Sequence, residues 1–314
     1  MRSLKRISRL LLGLFLFSNI ILAFHAWKFT HFYEDAAHIN MRPEQMNAWE
    51  KTRMVLFGVR LSKSVVRSFP EAAYTTVHLK TQHGIPLEGW WIPAPQPAKG
   101  SVILLHGYGS NKGAKLPEAR YFRELGYNTF LLDFRAHGNS GGYTCSIGYK
   151  EAEEVKLAYA HVRSRAAGPV ILWGMSMGAA AILKAVPEYH LQPDKLILES
   201  PFATLTDAVK SRMRSVHLPP TPLAQLITFW GGMEQGFWAP GFQPVAYARH
   251  IQMPVLLCWG KRDIRVMEHE TQDIFQALGS ARKKLVVFNS AGHHSICRQE
   301  PEKWKAAVSS FLLQ

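Results

Sequence analysis

The chain has 314 residues, 47% of them hydrophobic and 19% charged, which excludes the disordered, collagenous and coiled-coil classes and leaves ample length for a buried core. Three cysteines, none in a C-x-x-C or Cys/His zinc spacing, argue against a disulfide framework, and neither a metal nor a cofactor is expected. Lys and Arg number 37 against 23 Asp and Glu, yet five of those bases precede the first acid, Glu34, and no basic run or recognition-helix pattern accompanies the rest, so nucleic acid is not an expected partner.

Arg2, Lys5, Arg6 and Arg9 lead into an apolar run over 10–24 that is broken only by Ser18 and Asn19 and continues through Ala26 and Trp27. At about 1.5 Å per residue, residues 10–27 rise about 27 Å, near the minimum for a bilayer core. Signal cleavage wants small residues one and three before the cut, but Phe24 stands two before Ala26 and Ile21 two before Ala23. Residues 1–28 therefore read as an uncleaved signal anchor and a contact with the membrane. A cleaved signal, which would give a secreted protein, and an interfacial helix are the alternatives. The basic flank predicts that residues 1–9 stay cytoplasmic and that the globular part faces the outer side, periplasmic or extracellular. Trp27, Phe29, Phe32 and Tyr33 suit an aromatic belt at the exit interface, with plain packing as the alternative.

Residues 29–72 carry Met41, Met46, Trp49, Met54, Val55, Phe57 and Val59 in a loosely helical spacing and read as a connector. A hairpin follows, with β-type runs at 75–80 and 87–93 flanking Gln82 to Pro86. Apolar strands then recur at 101–105, 128–133, 170–173, 195–198, 255–259 and 284–288. Helices are expected at 116–125, 149–164, 177–185, 268–278 and 301–313. Such alternation implies an α/β domain over 73–314, a mostly parallel twisted sheet with helices on both faces. Residues 202–250, rich in Pro, Gly and Trp, break the rhythm and read as an inserted lid. Phe229, Trp230, Phe237 and Trp238 within it suit either an apolar pocket roof or packing.

Gly174-Met175-Ser176-Met177-Gly178 follows one apolar strand and opens a helix-forming run, the context of a nucleophile elbow. Glycine is needed on both sides because the serine occupies a tight, strained turn. A chance G-x-S-x-G in a chain of this length has a probability of roughly one in ten, so the accompanying features decide. His106-Gly107-Tyr108-Gly109 ends the 101–105 strand, where an oxyanion loop belongs, which assigns the main-chain N–H groups of Tyr108 and Met177 to the oxyanion hole. Asp263 stands just beyond a late strand and His293 just beyond the last. The order Ser176, Asp263, His293 is that of an α/β-hydrolase triad.

Over roughly 73–314 the chain thus resembles the α/β-hydrolase superfamily. Residues 133–141, Asp-Phe-Arg-Ala-His-Gly-Asn-Ser-Gly, look like the D-x-R-x-H-G-x-S loop of its serine aminopeptidase-like and membrane-anchored groups, and Glu199-Ser200-Pro201-Phe202 is similar too. The resemblance implies a cofactor-independent serine hydrolase acting on an ester, thioester or amide. A small-molecule or lipid-like acyl ester is the expected substrate.

Alternatives stand beside several residues. His294 adjoins His293, and Glu199 is the substitute acid for Asp263. His106 and His137 read as organisers of their glycine-containing turns, Asp133 as the anchor of the 135–141 loop, and Cys145, Cys258 and Cys297 as residues without a chemical role. A peptidase or amidase of the aminopeptidase type would need acidic groups for a free amino terminus, for which the lid offers Asp207 and Glu234. A non-catalytic binding protein on the same fold is the alternative of a different class.

Overall fold

Strands buried on both faces read as continuous apolar runs, and from Ser101 onward the sequence supplies six apolar runs of strand length. The computed structural model describes residues 2–34, 45–95 and 97–313; residues 35–44, which carry Met41 of the expected connector, lie outside the described residues. The amino-terminal part holds α1 (Arg2–Thr30), β1 (Phe32–Tyr33), α2 (Ala48–Phe57) and β2 (Leu61–Ser62). The hairpin strands are β3 (Thr75–Lys80) and β4 (Pro86–Ile92). Then come β5 (Ser101–Leu105), α3 (Leu116–Glu124), β6 (Asn128–Leu132), α4 (Glu151–Arg165), β7 (Val170–Met175), α5 (Met177–Glu188) and β8 (Lys195–Glu199). The lid contributes α6 (Leu205–Ser215), α7 (Leu223–Gln235) and α8 (Pro244–Ala248). The chain closes with β9 (Val255–Gly260), α9 (Glu268–Ala277), β10 (Lys283–Phe288), α10 (Ile296–Gln299) and α11 (Pro301–Leu312).

Eight strands form one sheet in the order β10-β9-β8-β7-β5-β6-β4-β3. The pairs β3/β4 and β4/β6 are antiparallel, and every other neighbour pair is parallel. Alternate residues of β5 enter different cores. Ile103 and Leu105 join the helices α4 and α5 on one face, whereas Val102 and Leu104 meet α3 and α11 on the other. Each such side chain, fully withdrawn from water, contributes about 1.5–3 kcal/mol. Every strand and helix expected from 75 onward is present within a few residues. Helix α4 begins at Glu151 rather than at Tyr149 because the Glu151 carboxylate accepts hydrogen bonds from Ser146 Oγ and the Ser146 and Gly148 N–H groups, which hold the preceding residues in a turn.

Helix α1 includes a 26-residue apolar stretch, Lys5–Thr30, long enough to cross a membrane. Leu10, Leu11, Phe15, Phe17 and Ile20 stand exposed along it. Its carboxyl end is not a free tether. Ala26 is buried against Val209, Ala224 and Ile227 of the lid, and Trp230 Nε1 donates to Asn19 Oδ1 at 3.0 Å. The expected aromatic belt holds only in part. Trp27 is partly exposed, but Phe32 is buried between Tyr108 and His137, and Phe29 stacks on Tyr108, so these two are packing residues of the globular body. The segment read as a connector is sewn to the same body. β1 pairs with β2, Phe32 N donates to Tyr143 O, and Ser64 Oγ donates to Ser110 O while accepting from Gly138 N.

Candidate active site

Ser176 sits between β7 and α5 with φ 52° and ψ −115°, a conformation that L-residues rarely adopt. The glycines around it are sterically required. A Cβ at Gly174 would lie 2.7 Å from the Ala179 nitrogen, and one at Gly178 would run into the carbonyl oxygens of Leu105 and His106. The strain therefore comes with a tightly wedged turn that lifts the Ser176 side chain above the sheet edge.

Three side chains that are distant in sequence meet there. His293, on the loop after β10, has Nε2 2.9 Å from Ser176 Oγ and Nδ1 2.7 Å from Asp263 Oδ2. Asp263, just past β9, is fixed in turn because its Oδ1 accepts the N–H groups of Arg265 and Val266 at 2.8 and 2.9 Å. Burial alone would raise the pKa of this carboxyl. The neighbouring His293 and the three hydrogen bonds outweigh burial and hold it below the usual carboxylate range.

The loop after β5 lies over the serine. A Cβ at Gly107 would be 3.4 Å from Ser176 Cβ, so Tyr108 begins one residue from the contact with Ser176. Among the described residues no hydrogen bond occupies the main-chain N–H of Tyr108 or of Met177. Two histidines hold this loop. His106 places Nδ1 2.8 Å from Gly107 O and accepts from Phe134 N, while His137 accepts from Gly109 N at 2.9 Å. Burial lowers both pKa values, that of His137 to about 4, which keeps the rings neutral and able to accept. Asp133 ties the 135–141 loop down by accepting from Lys112 N and Asn139 N and pairing with the buried Lys112 ammonium.

The alternatives fall elsewhere. His294 is exposed. Glu199 is fully buried, and its Oε1 accepts from Trp173 Nε1 at 3.0 Å and Trp304 Nε1 at 2.5 Å, so it serves the core rather than His293. Burial and the adjacent Glu118 charge push its pKa up to about 7. Cys145, Cys258 and Cys297 are free and buried. Among the described residues no cluster of His, Cys, Asp and Glu has the makings of a metal site.

A cavity of about 760 Å³ adjoins Tyr108, walled by α1, α2 and the lid helices α6 and α7. None of Phe229, Trp230, Phe237 and Trp238 lines it. Phe237 stacks on Tyr149, Trp230 engages Asn19, and Phe229 packs edge-on between Trp230 and Trp238. Sequence reasoning missed Arg212, whose guanidinium lies 5.7 Å from the Phe29 ring centre and 5.6 Å from that of Tyr108. It also missed Ser295, two residues after His293, which donates to the buried Glu118 at 2.6 Å. Neither had a local signal, since their partners lie more than 80 residues away.

The family described as "Serine aminopeptidase, S33" matches residues 96–230. YqkD of Bacillus subtilis is 26% identical over 252 residues, spanning 79% of this chain and 82% of that protein. Protein bem46 of Schizosaccharomyces pombe is 24% identical over 71% of this chain and 72% of its own length. The lysophosphatidylserine lipase ABHD12 of Macaca fascicularis is 24% identical over 55% of this chain, a match that spans 44% of that protein. Among solved structures, the Pyrococcus furiosus esterase Pf2001 superposes with a TM-score of 0.66 at 26% identity, covering 80% of this chain and 97% of the esterase. Its sheet, its elbow and these relatives together make the chain a member of the α/β-hydrolase superfamily and a serine hydrolase.

Proposed function

We propose that this protein cleaves carboxylic esters or thioesters of acyl substrates, with Ser176 as nucleophile, His293 as general base and acid, and Asp263 as the group that orients His293. The observation that carries the reading is the unbroken chain Ser176 Oγ, His293 Nε2, His293 Nδ1, Asp263 Oδ2 at 2.9 and 2.7 Å. His293 takes the hydroxyl proton as Oγ adds to the substrate carbonyl. The N–H groups of Tyr108 and Met177 receive the oxyanion. The tetrahedral species collapses when His293 returns that proton to the leaving alkoxide or thiolate, releasing the alcohol or thiol and leaving the acyl group on Ser176. Water, deprotonated by the same imidazole, adds to the acyl-enzyme, and the carboxylic acid leaves as Ser176 regains its proton.

The names of the relatives support an ester substrate, a lipid-like one in the case of the lysophosphatidylserine lipase. Among the described residues the charged groups lining the cavity disfavour the aminopeptidase alternative, because Lys28, Arg53, Arg60 and Arg212 stand there with the one acid Glu50, where a free amino terminus would need acids. Helix α1 is read as one membrane span with the catalytic body on the outer side, since the bases precede it. An alkyl fluorophosphonate labels the full-length protein at Ser176 and fails to label Ser176→Ala. Absence of labelling in the folded wild type overturns the mechanism.

A further inference from the structure

The cavity beside Tyr108 has an unusual wall. Ile21, Leu22 and Phe29 come from α1, the helix long and apolar enough to cross a membrane, and Met213, Leu223 and Ile227 face them from the lid. Its volume, about 760 Å³, falls in the range of small-molecule sites. Tyr108 connects it to the chemistry, because Tyr108 lines the cavity while its neighbour Gly107 lies against Ser176. The wall is held in register at several points. Tyr108 Oη donates to the Phe29 carbonyl, Trp230 to Asn19, and Arg212 covers the stacked Phe29 and Tyr108 rings.

We propose that this cavity holds the acyl chain of the substrate and that α1 is therefore a wall of the binding site as well as the membrane segment. The inference rests on the acyl-ester reading above and adds to it where the chain lies and how it arrives. Apolar surface leaves water for apolar surroundings and resists the reverse transfer. Leu10, Leu11, Phe15, Phe17 and Ile20 are exposed along α1, and Ile21, Leu22 and Phe29 continue the same helix into the cavity. A long acyl chain follows these apolar side chains from the bilayer to Tyr108. Short, soluble esters reach Ser176 with no use for them, so α1 discriminates by chain length.

The test compares full-length wild type in lipid vesicles with Leu22→Trp on α1 and Leu223→Trp on α7, both half-buried positions where an indole enters the cavity. The ratio of kcat/KM for p-nitrophenyl palmitate to that for p-nitrophenyl butyrate is the readout. Each variant lowers this ratio about tenfold or more. A misfolded enzyme loses both substrates alike, so a ratio equal to wild type in both variants overturns the proposal. In the Ser176→Ala background, where no turnover is required, Leu22→Trp also weakens binding of a fluorescent palmitoyl ester, and unchanged binding counts against the acyl site. Failure of the underlying mechanism shows separately, as wild type that fluorophosphonate does not label.

Discussion

Tyr108 donates its phenolic hydrogen to the main-chain oxygen of Phe29 and stacks on the Phe29 ring with centroids 5.3 Å apart. The last turn of the amino-terminal helix is thereby joined to the loop that lies over Ser176. Burial raises the pKa of this phenol well above its ordinary range, so it stays a donor at any working pH. The Tyr108→Phe variant keeps the stack and the main-chain N–H and loses only this bond. It lowers stability by about 1 kcal/mol and Tm by about 2–4 °C, with kcat for a short ester reduced far less than by any loss at Ser176. Differential scanning calorimetry beside a butyrate assay checks both. An unshifted Tm shows that the bond contributes nothing.

Asp263 accepts the Arg265 and Val266 N–H groups through one oxygen and faces His293 with the other. In Asp263→Asn the Oδ1 position stays an acceptor, so the amide NH2 is turned toward His293 Nδ1 and selects the tautomer whose Nε2 carries the hydrogen. That nitrogen no longer accepts the Ser176 proton. The expected loss in kcat is about ten-thousandfold with little change in KM. Steady-state kinetics on a soluble ester decide it, and a loss of less than about tenfold removes Asp263 from its orienting role.

Ser176 is held at φ 52° by the wedged elbow, a conformation that costs a residue with a Cβ about 1–3 kcal/mol. Ser176→Gly relieves that strain and Ser176→Ala keeps it. Both variants are inactive, but the glycine variant is the more stable of the two by about 1 kcal/mol once the extra freedom of glycine in the unfolded chain is subtracted. Urea unfolding of the pair measures the difference, and equal midpoints show an unstrained elbow.

Acid should loosen the loops that His106 and His137 hold. Burial lowers the folded pKa of His137 to about 4, and that of His106 also falls well below its ordinary value. Between about pH 6.5 and 4 the unfolded chain binds protons at these rings that the folded chain refuses, so stability is lost as pH falls through that window. The loss from His137 alone sums to about 3 kcal/mol. Urea midpoints recorded from neutral pH down to about pH 5 fall steadily, and a flat profile refutes neutral, buried rings.

Much of this was legible in the sequence because the signals are local. The elbow needs Gly174 and Gly178 within two residues of Ser176, and a strand such as β5 declares itself by four successive apolar residues, Val102 to Leu105. That Asp263 and His293 meet at Ser176 could be expected because each follows a strand, and strand ends gather on one edge of a parallel sheet. Contacts between distant segments left no such trace. Nothing near Phe32 marks it for burial beside His137 rather than for a membrane interface, and nothing near Trp230 marks Asn19 as its partner 211 residues away. The lid aromatics left pocket roof and packing both open for the same reason, since composition shows an apolar surface without showing what covers it.

The bond between Asn19 and Trp230 also imposes an order of events. During synthesis α1 leaves the ribosome before any strand of the main sheet exists, and its partner α7 follows some two hundred residues later. The helix therefore waits undocked while six of the eight sheet strands are made, since β3 to β8 precede α7 and β9 and β10 follow it. Docking of such a sequence-distant pair comes late, after the loop-closure entropy of everything between has been met. The turn that holds Ser176 precedes α7 in the chain, and the chamber beside Tyr108 is completed only once α7 has emerged, so a nascent or truncated chain that ends before α7 carries Ser176 without that enclosed space.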